Sequence, residues 1–241
     1  MKTALSILGS VLLLCSAVHA QPRTYTLEFS EDQPFAWSEG GKFYGVAIEV
    51  VTTLFTKASI AYKLQSVPLA RAMADARNEA NVCVFPVQRA QSNEADYQWV
   101  SPIFITTSGL FVAPDSDAQL LVLSDAKKMV IGAVRGSGDA QYLKAFGFKV
   151  DEVSSQEQNL EKLLRKRIDA WATDVMSAQY FIQRAKTSER IPKEALTFRR
   201  SLASLACNSK MPLADVAALQ KALDVMIQNG SLQRVTSEMG G

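Results

Sequence analysis

Hydrophobic and polar positions along this chain switch between two periods. Residues 23–29 (RTYTLEF) alternate with period two, the pattern of a half-buried strand. Residues 45–58 instead place Ala47, Val50, Val51, Leu54 and Phe55 on one face of a helix. Between them, 30–41 holds Pro34, Gly40 and Gly41 and reads as a turn-like connection. Further strands are expected at 60–66 and 81–87, with a helix between them opened by Pro68 and reaching about 76. A long apolar, Thr-rich extended stretch covers 101–113 and breaks at Pro114-Asp115; 118–126 is short helical or irregular. Strand 130–134 then runs through Gly136-Ser137-Gly138 into a helix ending at 146. Strand 149–153, helix 158–167, strand 168–173 ending at Asp174, and helix 176–185 follow. A short strand at 202–207 precedes a last helix opened by Pro212. Its stripe is Val216, Leu219, Leu223, Met226 and Ile227, and Asn229-Gly230 closes it. Strand-then-helix order implies an α/β chain with parallel strands and helices on both faces. Ligands in such folds gather at the carboxyl ends of strands.

Composition narrows the function classes. The 241 residues are 48% hydrophobic and 21% charged, an ordinary globular balance. A formal net charge of +2 is too even for a surface built to bind nucleic acid. Lys2, the uncharged apolar run 4–18 and Val18-His19-Ala20 read as a secretory signal peptide over 1–20. The run is shorter than the roughly 20 residues a spanning helix needs. Cleavage there removes the single histidine, His19, and Cys15. Without histidine there is no Ser-His-Asp triad, Cys-His pair or His-ligated metal, and two cysteines cannot make a four-cysteine site. Cys83 and Cys207 remain. In an oxidising compartment such a pair more often forms a disulfide than stays as two buried thiols.

The order of motifs resembles that of the periplasmic solute-binding proteins of family 3, the amino-acid-binding type. The resemblance is carried by Pro34-Phe35, Gly45-Val46-Ala47-Ile48-Glu49-Val50, Pro68-Leu69 and the strand 81–87. It continues through Arg89-Ala90-Gln91-Ser92-Asn93-Glu94 and Tyr97-Gln98-Trp99-Val100-Ser101-Pro102. Ile131-Gly132-Ala133-Val134-Arg135-Gly136-Ser137 and Leu163-Leu164-Arg165-Lys166-Arg167-Ile168-Asp169-Ala170 complete it. It implies a two-lobed periplasmic-binding-protein-like fold, each lobe a mixed, mostly parallel sheet flanked by helices. Lobe one would comprise 21–103 and 202–241, lobe two 108–198, with hinge crossovers at 103–107 and 198–203. It implies a non-catalytic monomer in the periplasm that closes on a small polar solute and hands it to an ABC permease, with no cofactor. Two alternatives share the scaffold: a cyclohexadienyl-dehydratase-like enzyme and a periplasmic sensory binding protein.

The same resemblance nominates site residues. The family's carboxylate-clamping arginine falls on Asn93 here, a departure, so either Arg89 swings in or the solute lacks an α-carboxylate. Arg89 is otherwise a solvated loop arginine. Ser137 matches the family's hydroxyl at a helix N-terminus, where free N–H groups favour an anion, or it is a plain helix cap. Arg135 either reinforces that site or lies on the surface. Asp174 stands where the family places the acid that receives an ammonium, or it caps the next helix. Leu69 falls on an apolar wall position, with Arg71 a second basic candidate at the helix start. Trp37 and Glu31-Asp32 lie in the first strand–helix loop, which faces the cleft in this fold. Trp171, alternating with Asp169 and Thr173, reads as core.

Overall fold

A computed structural model describes residues 23–89, 91, 93–185 and 190–238. The signal-peptide reading of 1–20 lies outside the described residues. The first alternating segment is β1 (Thr24–Phe29), with Tyr25, Leu27 and Phe29 buried. A hairpin of β2 (Trp37–Glu39) and β3 (Lys42–Tyr44) then forms inside the stretch expected to be only turn. Gly40 and Gly41 both have positive φ, 59° and 77°, so they make the mirror-image two-residue turn that suits a twisted hairpin.

Helix α1 (Val46–Lys57) buries Val46, Val50, Val51, Leu54 and Phe55. Its start is tied to the preceding loop: Phe35 O accepts from Ala47 N at 2.9 Å. Gly45, at φ 119°, sits so close that a Cβ there would lie 2.2 Å from Phe35 O. Next come β4 (Ala61–Ser66), α2 (Leu69–Asn78), β5 (Val82–Gln88) and the 16-residue β6 (Tyr97–Val112). A 3-10 turn at Leu123–Lys128 replaces the irregular segment. The chain continues as β7 (Val130–Val134), α3 (Gly138–Ala145), β8 (Lys149–Val153), α4 (Gln156–Leu164), β9 (Ala170–Asp174) and α5 (Val175–Arg184). It ends with β10 (Lys193–Asn208), α6 (Leu213–Gln228) and α7 (Ser231–Glu238). Gly230 closes α6 as expected, but Ser231 starts a further helix that the pattern did not reveal.

The strands form one continuous sheet in the order β4-β1-β5-β10-β6-β9-β7-β8. Pairs β1–β4, β1–β5, β7–β8 and β7–β9 are parallel; β5–β10, β10–β6 and β6–β9 are antiparallel. The two long strands explain how two lobes share one ladder. β10 pairs with β6 from Asn208↔Tyr97 to Lys193↔Val112. At one end β10 also pairs with β5, and at the other β6 pairs with β9. Each lobe therefore has its own half-sheet, and both long strands cross between them. A core around Tyr25, Phe29, Leu54, Phe55 and Leu223 fills lobe one. Lobe two packs Leu110, Ile131 and Leu143 on one face and Phe111, Leu163 and Trp171 on the other. Trp171 is fully buried, as its alternation suggested.

Cys83 and Cys207 face each other across β5 and β10 and are joined in a disulfide 124 residues apart in sequence. No helix among the described residues is long and apolar enough to cross a membrane.

Candidate functional site

Where the two half-sheets meet, the chain leaves a cavity of about 180 Å³. Lobe one contributes Asp32 and Phe35 from the loop after β1, and Pro86, Val87 and Gln88 from the end of β5. The crossing strands contribute Phe104, Thr106, Arg199 and Ala203. Lobe two contributes Ser108, Ser137, Gly138, Asp139, Gln156, Asp174 and Ser177. An adjoining recess between the lobes shares Asp32, Ser137 and Gln156 and adds Glu31 and Ser155.

Lobe two builds its wall from helix starts. Ser137 caps α3 and accepts from Ala140 N at 3.1 Å. Ser155 caps α4 and accepts from Gln158 N. Asp174 caps α5, accepting from Met176 N at 2.9 Å, and its other oxygen accepts from Thr107 N at 2.6 Å. Ser137 and Asp174 thus serve as helix caps and also line the cavity. Gln156 accepts from the buried Trp171 Nε1 at 2.8 Å, which fixes it to the core.

The charges are unequal. Three carboxylates, Asp32, Asp139 and Asp174, line the cavity with one guanidinium, Arg199. Arg199 donates to Asp139 Oδ1 at 2.6 Å, and Ser108 donates to the same oxygen at 2.7 Å. The guanidinium also lies 5.4 Å from the Tyr142 ring centre. Arg199 follows a register irregularity between Thr197 and Arg199, the kind of bulge that re-aims a strand side chain. Asp32 makes no side-chain hydrogen bond or ion pair among the described residues. Burial, then the like charges of Asp174 and Asp139, push its carboxyl up to about 7. The residue itself is open to cleft water while protein crowds it from both lobes. Its environment is therefore enclosed but wet, and the water limits how strongly the charge is penalised. Burial lifts Asp174 to about 6 against the backbone N–H groups of Met176, Thr107 and Ser177, which favour its charged form, with Asp139 adding to the rise.

The other nominated residues stand outside the main cavity. Arg89 is held by both oxygens of Glu94 and lies over Trp99, so it is a loop arginine rather than a clamp. Asn93 donates to the Gln88 carbonyl at 3.0 Å, bracing the loop. Arg71 pairs with Asp75 one turn along α2, and Leu69 is exposed at the start of that helix. Arg135 is exposed beyond β7. Trp37 stacks on Tyr44 and reaches Tyr180 of α5, making an aromatic contact between lobes instead of a cavity wall. Glu31 lines only the recess, its oxygens taken by Ser38 and Ser66. Sequence reasoning missed Asp139, Arg199 and Gln88. Asp139 had a signal, two residues beyond Ser137 in the same helix-opening turn. Among the described residues no group of three or more His, Cys, Asp or Glu side chains is placed to hold a metal ion.

No protein-family model matches the chain, and no curated protein matches it by sequence. Solved structures do match. An ancestral cationic amino acid solute-binding protein superposes at TM-score 0.75 with 13% identity, covering 90% of this chain and 96% of that one. A histidine kinase sensor domain with similarity to periplasmic binding proteins gives 0.74 with 14% identity, covering 90% and 96%. The arginine-, lysine-, histidine-binding protein of Geobacillus stearothermophilus gives 0.71 with 15% identity, covering 90% and 95%. The chain therefore has the two-lobed fold of the periplasmic amino-acid solute-binding proteins.

Proposed function

We propose that this protein is a periplasmic solute-binding protein that captures a small amine-bearing solute between its lobes. The observation that carries this reading is the cavity itself, with Asp32 and Asp174 projecting from opposite lobes and acids outnumbering the guanidinium three to one. Ammonium groups suit such a site, because each gives charge-assisted hydrogen bonds and relieves repulsion between the acids. Binding proteins of this fold for cationic amino acids are consistent with it. Closure is a hinge motion in which the solute bridges both lobes. Buried polar groups cost free energy unless the solute pairs with them, so a closed cleft rejects mismatched solutes. Delivery to an ABC permease is the reading for the partner. The likeness to a kinase sensor domain favours a second one, in which the loaded form signals. The two differ in partner, not in capture chemistry.

The test is thermal unfolding of the mature protein against amino acids, amines and small carboxylates. A bound solute at 100 times its dissociation constant adds about 2.7 kcal/mol of stability. A panel in which only carboxylates without amines raise the midpoint contradicts the reading. Loss of cellular uptake of the identified solute on deleting the gene supports the permease; unchanged uptake with a lost transcriptional response supports the sensor. Turnover of prephenate or arogenate would instead point to an enzyme.

A further inference from the structure

We propose that the cleft selects a short organic dication that lacks a carboxylate, a diamine or guanidinoalkylamine, with one cationic end on Asp32 of lobe one and the other on Asp174 of lobe two. The inference rests on the solute-capture reading and adds its substrate class. An amino acid needs a home for its carboxylate, and the one guanidinium among the described residues lining the cavity is already shared with an acid. The clamp position is Asn93, bound to a backbone carbonyl. Arg89 and Arg71 are engaged with Glu94 and Asp75 away from the cavity. Arg199 does line the cavity: Asp139 takes its Nη2 while its buried Nε has no partner among the described residues, so the cavity sets one partly engaged guanidinium against three acids.

Helix N-termini are the other natural carboxylate site in this wall. Here Asp174 itself caps α5, while α3 and α4, capped by Ser137 and Ser155, carry Asp139 and, outside the main cavity, Glu157 in their first turns. A solute carboxylate would enter beside Asp32, Asp139 and Asp174, and like charges brought together out of bulk water are costly. Cations have the opposite prospect. Asp32 is unpartnered among the described residues, and Asp174, with backbone N–H groups on three of about four lone-pair sites, keeps some acceptor capacity. Phe35 and Phe104 stack at 5.5 Å with an interplanar angle of 6°, an apolar wall for methylenes between two charged ends. Because Asp32 and Asp174 come from different lobes, a two-ended cation also couples binding to closure.

Calorimetric titration of the mature protein with matched pairs tests this: agmatine against arginine, cadaverine against lysine, putrescine against ornithine. Each pair differs only by the α-carboxylate. At least one decarboxylated member should bind at least about tenfold tighter than its amino acid. Putrescine should likewise exceed n-butylamine about tenfold, and Asp32→Asn should erase that difference while circular dichroism stays native. Equal or tighter binding of the amino acids overturns the inference and leaves amine capture standing. Binding confined to neutral or anionic solutes, or no binding by either member of any pair, overturns the inference and withdraws support from the reading beneath it. A putrescine preference that survives Asp32→Asn also overturns it.

Discussion

The two lobes are built from the same strand–helix alternation, yet they stabilise themselves and serve the cleft differently. Lobe one has a large core, a smaller one under α2 around Val84 and Tyr97, and a disulfide joining β5 to β10. It offers the cavity a loop carboxylate, Asp32, whose side chain makes no hydrogen bond or ion pair among the described residues. Lobe two has no disulfide among the described residues and smaller cores on either side of its half-sheet. Its cavity residues are helix caps and first-turn acids, so they hold the lobe together and face the solute at once. The contrast teaches that substitutions in lobe two mix folding with binding. A substitution at Asp32 separates them.

The largest break in this comparison should come from the disulfide. Replacing Cys83 and Cys207 with serine opens a 124-residue loop and should cost about 2–5 kcal/mol, read from urea unfolding. Hydrogen exchange should then rise in β1, β5 and the C-terminal half of β10 before it rises in β7 and β8. Equal loosening of both lobes would contradict the assignment of the staple to lobe one.

Gly45→Ala comes next. The new Cβ would collide with the Phe35 carbonyl at a positive-φ position, so the loop carrying Asp32 and Phe35 must move. A loss of about 2–4 kcal/mol is expected, with a weakened solute response. A variant as stable as the parent would show that the loop is not braced on α1.

Asp174→Ala should lose about 0.5–2 kcal/mol through the missing cap, together with the solute response. Asp174→Asn should retain the cap through its one amide oxygen, giving up the Thr107 N–H contact, but lose the response. The pair of variants separates the two duties of that side chain.

A smaller effect concerns pH in the solute-free protein. Asp32 at about 7 and Asp174 at about 6 both lie above the ordinary Asp value. The folded protein therefore binds more protons than the unfolded chain between about pH 4 and 7, and these two groups make stability fall as pH rises through that window. Midpoints measured from pH 5 to 8 should decline and then level off. Asp32→Asn should flatten the upper part; an unchanged slope would remove Asp32 from the account. Smallest of all, Arg71→Ala should shift stability by under about 0.5 kcal/mol and leave solute affinity unchanged.

Much of the architecture was legible because it rests on local periodicity. The stripes of α1 and α6 and the buried runs of β5 and β7 mark their elements directly. The N-terminal half of β10 did not, since Lys193 to Arg200 is rich in polar residues and is strand only because β6 lies beside it. The β2–β3 hairpin hid behind Gly40-Gly41, a signal that fits a loop and a tight turn equally well. In the site, Ser137 and Asp174 could be placed because the family resemblance nominates both and each stands between a strand and the helix it caps. Arg199 could not, because its entry into the cavity depends on pairing across nearly a hundred residues of chain and on a local bulge. Glu31 and Asp32 are neighbours in one loop, and only the fold decides that Glu31 braces Ser38 and Ser66 while Asp32 meets the cavity.

The central claim is that two acids on opposite lobes hold one cationic solute between them. Calorimetric titration of the tightest-binding amine into the parent protein, Asp32→Asn and Asp174→Asn tests it most directly. Each substitution should weaken binding by about tenfold or more while the variants stay folded. Affinity equal to the parent's in either variant would mean that the solute does not bridge the lobes through these residues.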